Sequence, residues 1–138
     1  MDELPRFTYS RSHRIYGPKK FYILDNGLLY HLAGKLNYGS AFEQTLFNHF
    51  RVTKQQAGFY YTDRQEIDFV VESPKRKEFW EAKYAVNDIN SEARKLIPIA
   101  LKEKVSKIVY VTKSLSASRR TEGIDIRFIP LWKILLKN

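Results

Sequence analysis

The sequence contains no cysteine, which excludes disulfides and cysteine-ligated zinc sites. It also lacks long apolar runs, since no stretch approaches the roughly 18 apolar residues of a membrane-spanning helix. Residues 1–5 are partly acidic and have none of the apolar character of a secretory signal. These absences lead us to expect a cytoplasmic protein without a membrane partner.

The sequence also lacks the histidine spacing of a zinc site and the serine context of a hydrolase nucleophile. His13, His31 and His49 are widely separated and do not have the spacing of a zinc site. No serine lies in the sequence context of a nucleophile elbow, so Ser-His-Asp chemistry is not expected. Carboxylates and lysines are therefore the residues most able to carry chemistry.

Negative charge is in short supply. The 138 residues include 24 Lys and Arg against 15 Asp and Glu, which gives a net charge of +9. Such a chain attracts polyanions, of which nucleic acid is the commonest, and a lysine-rich thermophile surface is the alternative explanation. Apolar residues make up 43% of the sequence, enough for the core of one domain.

Hydrophobic periodicity predicts an α/β fold, with a central mixed β-sheet flanked by helices. The expected strands cover residues 21–24, 59–62, 66–72, 78–84, 108–111 and 124–129. The expected helices cover residues 28–34, 40–50, 90–104 and 131–137. Asn90 or Ser91 is expected to cap the third helix and Pro98 to kink or split it, while Pro130 opens the last. A turn is expected at residues 73–76, a loop at 114–123, and at 25–27 either a turn, which we favour, or a helix start.

Two acidic residues flank the predicted turn symmetrically. A hairpin centred between Pro74 and Lys75 places Asp68 directly opposite Glu81. Opposed carboxylates repel each other at that distance. A divalent cation offsets the repulsion, because Mg²⁺ is commonly held by one or two carboxylates together with water and phosphate oxygens.

Lys83 shares a strand face with Glu81, because the two residues are separated by one position. A lysine at this position can activate water or balance a phosphate charge. The other face of the two strands carries an apolar, core-facing set: Ile67, Phe69, Val71, Trp80, Ala82 and Tyr84. The alternative interpretation is an exposed hairpin with ordinary surface charges, in which Glu66 and Lys83 form a cross-strand ion pair.

Glu43 has two interpretations. Ser40 and Glu43 match a capping box at the start of the second helix, which would account for the glutamate fully. Alternatively, Glu43 is a third carboxylate that reaches the metal from the helix N-terminus. The sequence leaves both interpretations open.

These segments together resemble the PD-(D/E)XK nuclease superfamily. The matching pieces are the helix start around Glu43, the strand around Asp68 and the strand with Glu81 and Lys83. The resemblance implies a restriction-endonuclease-like core of order αβββαβ. It also implies that Asp68, Glu81 and Glu43 bind Mg²⁺ or Mn²⁺ and that Lys83 assists phosphodiester hydrolysis, which makes all four catalytic.

A closer similarity is to the C-terminal domain of AAA-type ATPases of archaea and bacteria, in which a segment like residues 18–28 precedes the Gly-x-x-Phe-Glu helix. We expect a single nuclease-like domain over residues 1–138, with an N-terminal extension (1–36) and a core (37–138). The similarity implies that the chain is either a fragment or a stand-alone relative. An ATPase domain is then a further expected partner. No phosphate-binding Gly-x-x-x-x-Gly-Lys-Ser/Thr loop is present, so ATP hydrolysis by this chain is not expected.

Basic residues are expected in turns or loops around the acidic site, where they would hold nucleic-acid phosphates. They are Arg11, Arg14, Lys19, Lys20, Lys75, Arg76, Lys77, Arg119 and Arg120. The sequence thus predicts a metal-dependent DNA endonuclease or a nuclease-like DNA-processing domain. An inactive module that binds nucleic acid or docks on an ATPase is the alternative. A homodimer is expected only by analogy with nucleases that cut both strands.

Overall fold

The computed structural model describes residues 2–8, 12, 17–22, 25–35, 37–62 and 64–137. Eight strands lie in this part of the chain: β1 (Asp2–Pro5), β2 (Lys19–Tyr22), β3 (Gln56–Tyr61), β4 (Glu66–Glu72), β5 (Lys77–Lys83), β6 (Lys107–Thr112), β7 (Ala117–Thr121) and β8 (Ile124–Pro130). Five helices accompany them: α1 (Asn26–Ala33), α2 (Tyr38–Val52), α3 (Ile89–Lys95), α4 (Ile97–Lys102) and α5 (Leu131–Leu135). No helix of the described residues has both the length and the apolar character needed to cross a membrane.

Six strands form one mixed sheet in the order β3-β4-β5-β6-β8-β7. Strand β4 pairs antiparallel with both β3 and β5, because short turns join these strands. Strand β6 pairs parallel with both β5 and β8, and the α3–α4 segment provides the crossover from β5 to β6. The expected α/β fold with a central mixed sheet and flanking helices is confirmed.

Both faces of this sheet are covered. On one face, α2 buries Leu46, Phe47 and Phe50 against a cluster that includes Phe69 and Val109. On the other face, α3 and α4 pack on a second cluster, which includes Val70, Phe79, Ala93, Leu96, Ala100 and Ile108. The expectation that the β4–β5 hairpin has one apolar and one acidic face is therefore wrong, since Val70 and Phe79, which were expected on the acidic face, are buried under α3 and α4.

A β-bulge interrupts the alternation of β4. Between the pairs Gly58–Val70 and Tyr60–Ile67, β4 advances by three residues while β3 advances by two. The extra residue moves Ile67 to the α3–α4 face, while Phe69 stays on the α2 face. Of the predicted core-facing set, Ile67 is buried as expected but on the α3–α4 face. Phe69, Val71, Trp80 and Ala82 pack together on the α2 side. Bulges commonly redirect side chains, and Asp68 lies within this irregular stretch.

The N-terminal hairpin of β1 and β2 packs on the edge of the main sheet. Its antiparallel pairs run from Asp2–Tyr22 to Pro5–Lys19. The amide of Phe7 then donates to the carbonyl of Phe59 at 2.6 Å, and Arg6 forms a parallel bridge with Phe59. The hairpin buries Leu4 and Tyr22 in the cluster beneath α2. The predicted strand 21–24 is observed only up to Tyr22, and residues 23 and 24 lie outside the described part.

Several predicted boundaries need correction. Asp25 begins α1 instead of forming a free turn, because its carboxylate accepts hydrogen bonds from the amides of Gly27 and Leu28. Asp88 caps α3 in place of Asn90 or Ser91, and the helix is split before Pro98 as expected. Residues 117–121, predicted as loop, form the edge strand β7, whose exposed charged residues discourage pairing with other chains.

Candidate functional site

Asp68 and Glu81 lie where the β4–β5 ladder opens. The four observed pairs run from Glu72–Lys77 to Phe69–Trp80, which is the predicted register. One step further, the side chains replace the usual carbonyl acceptors. The amide of Asp68 donates to Glu81 Oε1 at 3.3 Å, and the amide of Ala82 donates to Asp68 Oδ2 at 2.9 Å. Each carboxylate is thus fixed by a backbone amide of β4 or β5.

Both carboxylates are largely removed from water, and Glu81 is only 7% exposed. Burial, followed by the charge of Glu43, raises the pKa of Asp68. Burial, followed by the charge of Asp68, raises the pKa of Glu81 well above its usual value, although Lys83 opposes the increase. Two buried acids this close stabilise a shared proton or a bound cation.

Lys83 ends β5 and is directed to the same side of the strand as Glu81. Both residues line a cleft of about 290 Å³. The other residues that line this cleft are Arg64, Gln65, Glu66, Glu92, Lys95, Leu96 and Tyr110. An amine, a buried carboxylate and open space therefore meet at one end of the central strands.

Glu43 approaches the same region from α2, on the other side of the β4–β5 opening. Its Oε1 accepts a hydrogen bond from the Tyr22 hydroxyl at 2.7 Å and lies 3.3 Å from Lys20 Nζ. The capping-box interpretation is wrong, because α2 begins earlier than predicted and Asn37 caps it by accepting from the Ser40 amide. The Glu43 side chain is consequently available to the acidic cluster.

Lys20 is the cation of this cluster. It forms ion pairs with Glu43 and Glu66, and its charge also acts on Asp68. Burial favours the neutral amine, but the hydrogen bond to Glu66 and the charge of Glu43 outweigh it, so the pKa of Lys20 lies above its usual value. Among the described residues, Glu66 thus pairs with Lys20. The alternative interpretation, in which Glu66 and Lys83 form a cross-strand ion pair, is therefore wrong.

Tyr22 joins the cluster as a hydrogen-bond donor. Its ring stacks on Phe47 with centroids 4.3 Å apart, which fixes the hydroxyl toward Glu43. Burial and the nearby charge of Glu43 raise the pKa of Tyr22, so the phenol stays protonated. Neither Tyr22 nor the position of Lys20 was predictable from spacing, since both come from the N-terminal hairpin.

The cleft contains two further residues that sequence reasoning missed. The Tyr110 hydroxyl donates to the backbone carbonyl of Glu92 at 2.6 Å. The Glu92 side chain pairs with Lys95 at 2.8 Å through Oε1, whereas its buried Oε2 has no hydrogen-bond partner within the described part of the chain. The only sequence signal for Tyr110 was its position on the central strand next to Glu81.

Of the described basic residues expected to surround the acids, Lys20 lies among them, whereas several others lie elsewhere. Lys75 and Arg76 occupy the predicted turn, but this turn closes the opposite end of the hairpin from Asp68 and Glu81. In the β7–β8 ladder, Arg120 lies opposite Asp125. Asp125 lies beside Lys107, and Lys107 beside Glu78, so Arg120 also belongs to the turn end of the hairpin. Lys19, Lys20, Lys77, Arg119 and Arg120 lie in strands and not in loops, and Arg11 and Arg14 lie outside the described residues.

Several of these basic residues are also engaged with acids. Lys19 pairs with Glu3 at 2.9 Å, and Arg76 pairs with Glu78 at 2.9 Å. The predicted basic rim is therefore wrong for Lys75, Arg76 and Arg120. Lys20, in contrast, does lie beside the carboxylates. Nucleic-acid binding by these residues stays a prediction.

The donor set fits a divalent metal in part. Asp68 and Glu81 are adjacent, buried and charged alike, as a two-carboxylate Mg²⁺ site requires. Glu43 is held by Lys20 and Tyr22 instead. Within the described ranges, no three His, Asp or Glu side chains are grouped closely enough to bind one ion unaided. A metal here would need water or substrate oxygens to complete its coordination.

Comparison with known proteins identifies the family of this chain. No curated protein matches the chain. A family model matches residues 38–134, which include α2, the carboxylates of β4 and β5 and the parallel strands β6 and β8. Lys20 and Tyr22 fall outside the matched range, although they contact Glu43 within it. The chain belongs to this family, which is described as a domain of unknown function, DUF4143.

Proposed function

We propose that this domain is a metal-dependent nuclease, or a nuclease-like DNA-processing domain, of the PD-(D/E)XK class. The observation that carries the proposal is the interlocked pair of Asp68 and Glu81, with Lys83 beside them at an open cleft. The element order α2-β3-β4-β5-α3-β6 supports a restriction-endonuclease-like αβββαβ core.

Asp68 and Glu81 would hold Mg²⁺ or Mn²⁺, and Glu43 would assist them once released from Lys20. A divalent ion bound there supplies Lewis-acid polarisation of a phosphodiester and activation of water. The backbone amides of Asp68 and Ala82 keep the two carboxylates oriented, so little side-chain entropy is lost when a cation binds.

Lys83 has two tasks in this proposal. Its ammonium offsets the charge of Glu81, as the opposing effect on the pKa of Glu81 indicates. In the cleft it also balances the charge of a substrate phosphate and helps to orient the attacking water. Leu96 and Tyr110 form the apolar wall of the cleft, which lowers the local dielectric and strengthens these interactions.

DNA is the proposed substrate because the chain carries a net charge of +9. Arg64, Lys83 and Lys95 line the cleft itself. These three cations adjoin the carboxylates, in contrast to Lys75 and Arg76 at the far end of the hairpin. Phosphate contacts at the site are therefore assigned to the cleft residues.

The test is cleavage of labelled linear and branched DNA in Mg²⁺ or Mn²⁺. Wild type is expected to cut, whereas Asp68→Asn and Glu81→Gln should lose activity by about 10²-fold or more, since each variant keeps its shape but loses a charge. Asp125→Asn is the matched control, because Asp125 pairs with Arg127 on β8, away from the cleft. Cutting by Asp68→Asn at the wild-type rate would exclude this site as the catalytic centre.

A second candidate function is a non-catalytic module that binds nucleic acid or docks on an ATPase domain. Lys20 favours it, because its ammonium already neutralises Glu43 and Glu66 in place of a metal. Titration of Mn²⁺ followed by thermal denaturation separates the two candidates. A metal-insensitive Tm together with salt-sensitive DNA binding would support the second candidate.

A further inference from the structure

Two tyrosines form a stacked pair at the surface beside the candidate site. The rings of Tyr38 and Tyr84 have centroids 5.2 Å apart and an interplanar angle of 20°. Phe42 supports Tyr84 from below with an edge-to-face contact at 5.7 Å. Tyr38 nevertheless remains 58% exposed, so much of its ring is open to solvent.

The pair is joined to the elements that carry the site. Tyr84 directly follows Lys83 at the end of β5, so their Cα atoms are about 3.8 Å apart. Tyr38 opens α2, and Glu43 lies about 7.5 Å further along the same helix axis. Tyr38 and Glu43 of the acidic cluster are thus carried by one helix, less than two turns apart.

Positive charge accompanies the rings. Lys113 Nζ lies 5.4 Å from the centre of the Tyr84 ring, and the Lys113 amide donates to the Tyr84 carbonyl at 3.3 Å. Lys83, which directly precedes Tyr84, lines the cleft. An exposed aromatic face with lysines at its border is the combination that binds unpaired nucleotides, since bases stack on the ring while cations meet the phosphates.

A simpler account is that Tyr38 only covers the start of α2. That role would place the tyrosine ring against the helix and would leave no aromatic face open. The supporting residues instead hold Tyr84 from beneath and leave Tyr38 outermost.

We propose that Tyr38 and Tyr84, with Lys113, form a stacking site for unpaired bases, so that the protein prefers single-stranded or frayed DNA to duplex. This inference rests on the proposed nucleic-acid function and specifies its substrate class.

The experiment compares affinities by fluorescence anisotropy for labelled oligo(dT) and for a blunt duplex, in EDTA at low salt. Tyr38→Ala and Tyr38→Leu should weaken single-strand binding on the order of tenfold, because stacking on one ring is lost. Duplex binding should stay within about twofold, and Tyr38→Phe, which keeps the ring, should resemble wild type.

Tyr30→Ala is the matched control, because Tyr30 lies on α1 with a similar exposure of 54%. Thermal denaturation of each variant confirms folding, and Tyr38→Leu retains apolar cover over the helix start. Equal single-strand affinity of wild type and Tyr38→Leu would overturn the stacking site while leaving the proposed function intact. No binding of either DNA by wild type would overturn both.

Discussion

The side chains of Asp68 and Glu81 occupy hydrogen-bonding positions that backbone carbonyls hold elsewhere in the ladder. The Asp68 amide donates to Glu81 at 3.3 Å, and the Ala82 amide donates to Asp68 at 2.9 Å. The β4–β5 pairs end at Phe69–Trp80, and the bulge in the β3–β4 pairing lies at the same part of β4. Two acids are thereby fixed side by side in a buried position, which costs folding free energy unless a proton or cation compensates.

The first prediction concerns the pH dependence of stability without metal. Burial and Glu43 raise the pKa of Asp68, and burial and Asp68 raise the pKa of Glu81. The folded state therefore binds protons more tightly than the unfolded state, so stability is greatest below the ordinary carboxyl pKa and falls as the pH rises through the raised values. Asp68→Asn and Glu81→Gln should raise the free energy of unfolding at pH 7 by on the order of 1 kcal/mol, or about 4 °C in Tm.

Urea denaturation of wild type and variants in EDTA, between acidic and neutral pH, measures this effect. The wild-type curve should decline toward neutral pH, and the variant curves should be flatter. Glu122→Gln provides a comparison, because Glu122 is an exposed turn residue after β7. A wild-type stability that increases over this range would contradict the raised pKa values.

The second prediction separates Lys83 from metal binding. Lys83→Ala should lower the DNA cleavage rate by about 10²-fold or more, because a positioned lysine contributes to proton transfer and charge balance. The variant should still be stabilised by Mn²⁺, since Asp68 and Glu81 remain. Lys107→Ala removes an amine of β6 that lies 3.6 Å from Glu78, at the turn end of the hairpin. This variant should cleave normally. Loss of the Mn²⁺ response in Lys83→Ala would make the lysine structural.

The hairpin around Pro74 was predictable because local symmetry determines it. A turn between two strands of matching pattern sets the register, and that register is observed from Glu72–Lys77 to Phe69–Trp80. The bulge at Asp68 was not predictable, because it depends on how β3 pairs with β4 and no glycine in β4 marks it. The alternation rule therefore failed at the bulge, beyond which Ile67 lies on the α3–α4 face.

The environment of Glu43 was not predictable from its local sequence. Ser40 and Glu43 fit the capping-box pattern, but Asn37 begins the helix earlier, which turns the glutamate toward the sheet. Its partners Lys20 and Tyr22 come from a distant segment that only tertiary packing brings there. Local patterns thus identified the acids, while the compensating lysine depended on the N-terminal hairpin.

The third prediction concerns Lys20 as a competitor of the metal. Lys20→Ala removes the ammonium that pairs with Glu43 and Glu66, so the acidic cluster becomes more negative. Affinity for Mn²⁺ should rise about tenfold, while the Tm in EDTA should fall, because the acids lose their counter-ion. Isothermal titration calorimetry with Mn²⁺ measures the first effect and thermal denaturation the second.

Lys19→Ala is the control for Lys20, since Lys19 pairs with Glu3 away from the cluster. Two outcomes separate the candidate functions. Metal binding by both wild type and Lys20→Ala supports the nuclease, whereas binding by the variant alone indicates that Lys20 permanently replaces the metal. Weaker Mn²⁺ binding by Lys20→Ala would contradict the competition.

The fourth prediction tests whether the N-terminal hairpin holds Lys20 and Tyr22 in position. A Cβ atom at Gly58 would come within 3.0 Å of the Pro5 carbonyl oxygen and 3.1 Å of the Phe7 nitrogen. Both are backbone atoms, so Gly58→Ala must push the hairpin away from β3, at a cost of about 1–3 kcal/mol in the free energy of unfolding. Displacement of Lys20 should also bring the Mn²⁺ affinity toward that of Lys20→Ala.

Gly39→Ala is the control, because its new Cβ would approach only the Asn37 side chain, at 3.3 Å, and it should leave the Mn²⁺ affinity unchanged. Wild-type stability and affinity in Gly58→Ala would mean that the hairpin does not depend on this close approach.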